Sequence, residues 1–272
     1  MSASVDIIVP VYHGKKFISN CLDCIQAQTY SDYTVIVALD DIKYDDTIDI
    51  IEHHKLFLDN KLVIIGQTSK SNPANARNRA LDYCHGKYVC FLDVDDTWEP
   101  DKLEHQIVYM IHTGIPVSFT SGWWHRDFGT FYMNSSDITI NDHMSACMFI
   151  WSSVMFTRSV LDDVRKMYGY VFDETWPQCD DGEMLIRAHE HGFKFGVLNM
   201  PLVHVYEHGD NLTQGNLWAP NYWAAKAWWI HGYRWNATRH ICMGVLAVVS
   251  EWLHVRKYLR EWRMIWNGAI RV

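Results

Sequence analysis

Val5 to Tyr12 reads Val-Asp-Ile-Ile-Val-Pro-Val-Tyr, an almost unbroken apolar run. A strand of that composition needs cover on both faces, which a parallel sheet flanked by helices provides and a one-sided antiparallel sheet does not. The residues after it keep to that pattern. Lys16 to Gln28 carries Phe17, Cys21, Leu22 and Ile25 at helical spacing. Tyr33 to Leu39 is a second strand, Thr47 to Phe57 a second helix, and Leu62 to Ile65 a third strand. A polar loop from Gln67 to Asn75 leads into a helix from Ala76 to Cys84, and Tyr88 to Leu92 is the fourth strand. Four strands alternating with helices through short links predict a parallel, doubly wound α/β sheet with right-handed crossovers. Ligands of such sheets gather beyond the carboxyl ends of the strands.

Three of those ends finish on polar chemistry: Tyr12-His13, Asp40-Asp41, and Asp93-Val-Asp95-Asp96. The last places three carboxylates within four positions, and they repel one another unless something positive lies among them. Mg²⁺ or Mn²⁺ suits this, because such a cation takes one or two carboxylates and fills its remaining positions with phosphate and water. A second reading needs no ion: Asp96 or Thr97 starts the helix that Pro100 and Leu103 suggest, and the neighbouring acids favour its positive end. Acids at two strand ends, with Arg77 at a helix start between them, also suit a nucleotide.

The 272 residues suffice for one α/β domain with an appendage, and the net charge of −8 conceals an uneven distribution. From Asn216 onward eight Lys or Arg stand against two Glu, and eight of the 13 Trp lie there. Ile241 to Val249 is apolar but is interrupted by Ser250 and Glu251, too short to span a membrane. Trp252, Val255, Leu259, Trp262 and Trp266 then fall on one helical stripe, with Arg256, Lys257, Arg260 and Arg263 beside it. Such a helix either docks on the acidic body of the chain or meets an anionic partner, a membrane surface or a phosphate-bearing molecule such as a lipid diphosphate or nucleic acid. Seven scattered cysteines point to a reducing, cytoplasmic setting, and Cys21 and Cys24 read as structural residues of a helix.

Several short stretches together resemble a known family. Val9-Pro10-Val-Tyr12, Gln28-Thr-Tyr, Asp40-Asp41, Asn75-Ala-Arg-Asn78, Gly86-Lys-Tyr, Phe91-Leu-Asp-Val-Asp-Asp96 and Pro100-Asp-Lys-Leu103 are similar, in order and spacing, to family 2 glycosyltransferases with the GT-A fold. Asp180-Asp-Gly-Glu-Met-Leu-Ile-Arg187, His191-Gly-Phe, Pro201-Leu and Tyr206-Glu-His208 extend the likeness to about residue 213. The chain departs from that pattern at His13, where the family usually has Asn, after Asp41, and at Glu207, where Arg is frequent.

The resemblance implies an inverting, metal-dependent transfer of a sugar from a nucleotide diphosphate, a UDP-sugar first, to an acceptor hydroxyl. Pro10, Tyr12, Asp40, Arg77, Asp93 and Asp95 would hold the donor. Asp95 or Asp96, with His208, would hold Mn²⁺ or Mg²⁺, and Asp181 would be the general base. Without the resemblance, Asp180 and Asp181 also read as a capping pair at the start of a helix. Trp123-Trp124-His125-Arg126 and Met144 to Ile150 line an acceptor groove or fill a core. The implied domains are a glycosyltransferase domain at 1–215, divided into a donor half (1–121) and an acceptor half (122–215), and a basic, Trp-rich helical extension at 216–272. The acceptor is open among saccharide, lipid-linked carrier, protein and nucleic acid. The expected location is the cytoplasm, with peripheral membrane contact through the C-terminal helices. A nucleotidyltransferase and a non-catalytic sugar-nucleotide-binding module are the alternatives, and the first lacks a Gly-rich phosphate loop near the N-terminus.

Overall fold

The structure, a computed structural model, describes residues 4–40, 46–67, 71–127, 129–133, 149–208, 218–252 and 269–271. In chain order these form β1 (Val5–Val11), α1 (Ile18–Gln26), β2 (Tyr33–Leu39), α2 (Thr47–His53), α3 (Lys55–Leu58), β3 (Leu62–Gly66), α4 (Pro73–Leu81), β4 (Tyr88–Phe91), β5 (Thr97–Trp98) and α5 (Lys102–Thr113). The second part holds β6 (Val117–Arg126), β7 (Gly129–Met133), a 3-10 turn (Trp151–Ser153), β8 (Met155–Thr157), α6 (Arg158–Tyr168), α7 (Asp180–Glu190) and β9 (Phe195–Tyr206). The chain ends with α8 (Trp218–Ile230), α9 (Arg234–Trp252) and β10 (Ala269–Arg271).

The four strands anticipated in the first half pair in parallel, in the order β4-β1-β2-β3. Beyond β4 the sheet is mixed. β8 joins β4 antiparallel, β6 joins β8, and β7 and β10 extend that edge. β9 runs parallel to β6 and also pairs with the short β5. Side chains alternate along β1: Ile7, Val9 and Val11 pack with α1, α2 and α5 on one face, and Ile8 packs with α4, α6 and α7 on the other. That double burial is the physical reason why the strand is apolar throughout.

Two polar residues buried among these elements account for parts of the sequence pattern. Asp6 accepts the backbone N–H groups of His85 and Gly86, both at 2.6 Å, and so fixes the turn into β4. A Cβ on Gly86 would lie 2.8 Å from the Ser4 carbonyl oxygen, so only glycine fits there. Gln28 donates to the Glu99 carbonyl at 2.8 Å and accepts from the Leu103 N–H at 3.1 Å, clipping the segment before α5 onto α1.

The boundaries differ from the sequence reading at three places. Pro73, not Ala76, opens α4, because the Asn72 side chain caps it by accepting from Asn75 N–H at 2.9 Å. The helix expected over 47–57 breaks at His54, whose backbone is extended and whose ring caps α3. Neither Asp96 nor Thr97 begins a helix: Thr97 and Trp98 form β5, and α5 starts at Lys102. The extension is helical in α8 and α9, while the stripe expected from Trp252 to Trp266 lies outside the described residues after Trp252. Among the described residues no helix is long and apolar enough to cross a membrane.

Candidate active site at the carboxyl ends of the parallel strands

The carboxyl ends of β1, β2 and β4 lie along one edge of the sheet, so the polar residues just after them share a neighbourhood. After β1 the chain turns sharply: His13 has a φ of 51°, and Tyr12, 42 % exposed, stands against the His13 ring. Phe17, a few residues on, stacks on His208 with ring centroids 4.5 Å apart. This contact ties the end of β1 to the segment after β9.

The three acids after β4 have different surroundings. Asp95 lies 3.0 Å from Nε2 of His208, both side chains about one-fifth exposed. Asp93 faces Arg77, with Nη2 3.4 Å from its Oδ1, and its backbone N–H donates to the Ser152 hydroxyl. Partial burial, then Asp95 and Asp181, push the Asp93 carboxyl upward against Arg77, a shift moderated by solvent, which reaches 38 % of the side chain. Asp96 is 6 % exposed; one oxygen accepts from the Ser152 hydroxyl at 2.5 Å and the other from Tyr206 N–H at 3.3 Å. Burial, then Asp93 and Asp95, raises its carboxyl well above the usual range. Asp96 is thus a buried brace between segments, and of the two candidate ion ligands Asp95 is the one on the open side.

Arg77 has a different position from a base-contacting residue. The side chain is buried and its Nη1 donates to Asp180 at 2.8 Å, while the guanidinium lies over the Trp151 and Phe172 rings at 5.2 and 5.7 Å. Burial acts against its charge, but Asp180, then Asp93 and Asp181, outweigh that and raise its pKa. Asp180 in turn is raised to about 6 by burial, with Arg77 opposing and Asp181 adding. A single guanidinium therefore joins the acid at the end of β4 to the first residue of α7. Asp181 is next, at the second position of that helix, accepting Gly182 N–H at 2.7 Å. It lies at the side of a largely apolar cavity of about 160 Å³, whose lining includes Trp151, Leu185, Ala224 and Trp228.

Asp40 is also less open than its sequence position suggests. At 4 % exposure it accepts from Ser71 N–H and hydroxyl and from Nη2 of Arg79. It shapes the start of α4 and presents no free carboxylate. Pro10 lies within β1, paired with Ala38 of β2, and Asp41 lies outside the described residues.

The sequence reading gave no role to Ser152, Arg79 or Asp180's partnership with Arg77. Arg79 is two residues beyond Arg77 on α4 and was visible as a second cation there; Ser152 carries no signal of its own. The Trp123 to Arg126 stretch belongs to β6, where Trp123 packs on Tyr132 and Arg126 lies over Trp124 and pairs with Glu207 at 2.6 Å. Glu207, where the family frequently has Arg, thus meets a cation supplied by β6.

Among the described residues no group of three or more His, Cys, Asp or Glu is arranged to hold a metal ion. A hard divalent cation that keeps waters and takes substrate phosphate oxygens needs only one or two protein ligands, so Asp95 with His208 fits such an ion when the donor completes its shell.

Residues 6–167 match the family model described as "Glycosyl transferase family 2". A curated relative from Escherichia coli, "UDP-Glc:alpha-D-GlcNAc-diphosphoundecaprenol beta-1,3-glucosyltransferase WfaP", is 31 % identical over 166 residues, covering 60 % of this chain and 64 % of its own length. Among solved structures, TarS 1–349 of S. aureus in complex with UDP-GlcNAc superposes with a TM-score of 0.69 at 17 % identity, over 89 % of this chain and 71 % of TarS. The mannosyltransferase PcManGT from Pyrobaculum calidifontis, in complex with GDP-Man and Mn²⁺, gives a TM-score of 0.61 at 17 % identity, over 97 % and 83 %. At that identity the two structures share the fold with this chain.

Proposed function

The chain belongs to glycosyl transferase family 2, and on that basis we propose that it moves a sugar from a nucleotide-diphosphate donor to an acceptor hydroxyl, with Asp181 as the base and inversion at the anomeric carbon. One observation carries the reading. Arg77 bridges Asp93 and Asp180, at 3.4 and 2.8 Å, so the donor-side acid and the residue preceding the base are held on one side chain. The E. coli relative is named for a UDP-glucose donor and TarS binds UDP-GlcNAc, which supports a UDP-sugar here. The relative's name also gives a lipid-diphosphate-linked saccharide as acceptor, and we assign the same class to this enzyme.

In the reaction the acceptor hydroxyl gives its proton to the Asp181 carboxylate as its oxygen bonds the anomeric carbon. The bond from that carbon to the diphosphate oxygen breaks, and its electron pair leaves with the diphosphate. Attack from the face opposite the leaving group inverts the centre. Asp95 and His208 would hold Mn²⁺ or Mg²⁺, which supplies positive charge to the leaving diphosphate; the Mn²⁺ in PcManGT supports this choice. Tyr12, exposed at the end of β1, suits stacking on a base. Arg77 and Asp180 set the position of α7, and Asp40 and Arg79 set that of α4, so these four act on the donor and the base through the elements they fix.

Donor half 1–121 and acceptor half 122–215 are a functional division, since β6 runs across their boundary. We place the enzyme in the cytoplasm, a compartment that suits the six free cysteines among the described residues.

The test is a panel of nucleotide sugars with a lipid-diphosphate-linked saccharide acceptor, with and without Mn²⁺, for the wild type and Asp181→Asn. Transfer by the variant is expected to fall roughly 10²–10⁴-fold with donor affinity kept. Unchanged transfer in that variant would overturn Asp181 as base, and no turnover of any donor by the wild type would overturn the reading.

A further inference from the structure

Helices α8 and α9 pack on each other, and α8 also packs on α7, yet both leave an outward stripe open. On and just beyond α8 the exposed positions are Tyr222, Lys226, Trp229, Ile230 and Tyr233, at offsets of four, seven, eight and eleven, which is one face of a helix. On α9 the same offsets from Arg234 reach Thr238, Ile241, Cys242 and Val245, all exposed. Trp229 and Ile230 are each more than half exposed, large apolar groups that a helix turned only to water does not need there.

From Asn221 to Val245 the charge on this hairpin is of one sign, and Glu251 near the end of α9 is its one acid. Between Asn221 and Val245 there is no Asp or Glu, while Lys226, Arg234 and Arg239 are present. The whole segment after residue 215 carries about +6 in a chain of net charge −8. The cations also lie against aromatic rings: Arg234 over Trp229 at 3.8 Å, and Lys226 over Trp223 and Trp176 at 4.6 and 4.7 Å. Aromatic and aliphatic side chains flanked by Lys and Arg, with no acid among them, match the boundary between headgroups and acyl chains of an anionic bilayer.

We propose that the outward face of the α8–α9 hairpin docks on an anionic membrane surface, with α8 lying between the bilayer and Asp181. The opposite face of α8 supports the second half of this statement. Ala224, Ala227 and Trp228 line the cavity that Asp181 also lines. One helix thickness, roughly 10 Å, therefore separates the docking face from the base. An acceptor whose diphosphate rests at the headgroup level reaches the site without leaving the membrane surface. That last step rests on the acceptor proposed above, whereas the docking itself does not.

The experiment is flotation of the full chain with vesicles of phosphatidylcholine alone and of phosphatidylcholine with phosphatidylglycerol, at low and high salt, without donor or acceptor. The wild type is expected to float with the anionic vesicles and to be released by salt. The Trp229→Ala/Ile230→Ser double variant is expected to lose roughly tenfold or more in partition, because two large apolar side chains no longer enter the interface. Its thermal melt and its donor turnover are expected to match the wild type, since neither residue touches the core or the cavity. Failure to float with anionic vesicles overturns the proposal. So does flotation that the double variant leaves unchanged, which would put the contact in residues 253–268, and so does a wild-type dimer that the double variant dissociates, which would make the face a contact between copies. Because vesicle binding requires no donor, an enzyme that floats as described but transfers no sugar refutes the transferase reading alone, and an active enzyme that does not float refutes the docking alone.

Discussion

Replacing Arg77 by Met keeps most of the side-chain volume and removes the charge between Asp93 and Asp180. In the wild type the Arg77 and Asp180 side chains are 7 % and 4 % exposed and 2.8 Å apart, so the variant leaves a buried carboxylate with no cation beside it. Removing one partner of such a pair costs about 3–5 kcal/mol. The contact to Asp93 adds little, since it is longer, at 3.4 Å, and that side chain is 38 % exposed. For a chain of this size the loss lowers Tm by roughly 6–20 °C. The pH dependence provides a second reading. Asp180 already has a folded-state pKa raised to about 6, so its contribution to stability is present below the unfolded carboxylate value of about 3.9 and is lost as pH rises through 6. Arg77 opposes that shift, so in the variant the folded pKa rises further. The stability deficit is therefore largest above pH 6 and shrinks as the medium is acidified and Asp180 takes up a proton. Urea unfolding of both proteins at pH 7.5 and pH 5 measures it. A deficit below about 1 kcal/mol at pH 7.5, or one that grows on acidification, would refute the bridge as a stabilising element.

Asp95→Ala is expected to abolish Mn²⁺-dependent donor turnover and leave the melt within about 1 kcal/mol of the wild type, because Asp95 is on the open side of the strand end; UDP release from a UDP-sugar with and without Mn²⁺ reports the first and calorimetry the second. Lys102 is fully buried, with Nζ 3.9 Å from the Trp98 ring centroid and 3.7 Å from Cys90 Sγ, and burial lowers its pKa. Lys102→Met should gain about 1 kcal/mol near neutral pH, a gain that shrinks as pH rises toward the unfolded lysine value, where burying the side chain no longer costs a charge. A loss of stability in chemical denaturation would show that Lys102 is held charged by its surroundings.

The residues that spoke for themselves in the sequence are those whose neighbours are close along the chain or whose burial is uniform. β1 and β2 were legible because burial on both faces leaves no room for polar positions; Asp180 and Asp181 marked the start of α7, although they stand in its first turn after Cys179 and do not cap it. The start of α4 was misplaced although Asn72 and Pro73 are a capping residue and a first-turn proline, because the polar letters around them read as loop. Asp93, Asp95 and Asp96 could not be told apart by letters alone. Their difference is set by Ser152, 56 residues past Asp96, and His208, 113 past Asp95. Arg77 was placed on the nucleotide by its position between two acidic strand ends and by resemblance, while its partner Asp180 lies 103 residues away, a separation that no local pattern encodes.

The pairing of β9 bears on the order in which the enzyme can assemble. β1 to β4 join through short crossovers, so the first half of the chain gains most of its contacts while they are still near in sequence. β9 instead closes onto β6, Val117 opposite Phe195, and reaches back to β5, Thr97 opposite His204. Contacts so far apart in sequence close large loops and form slowly. A growing chain leaving the ribosome thus has its parallel core before β9 emerges, and His208 meets Asp95 only after α7 has been made.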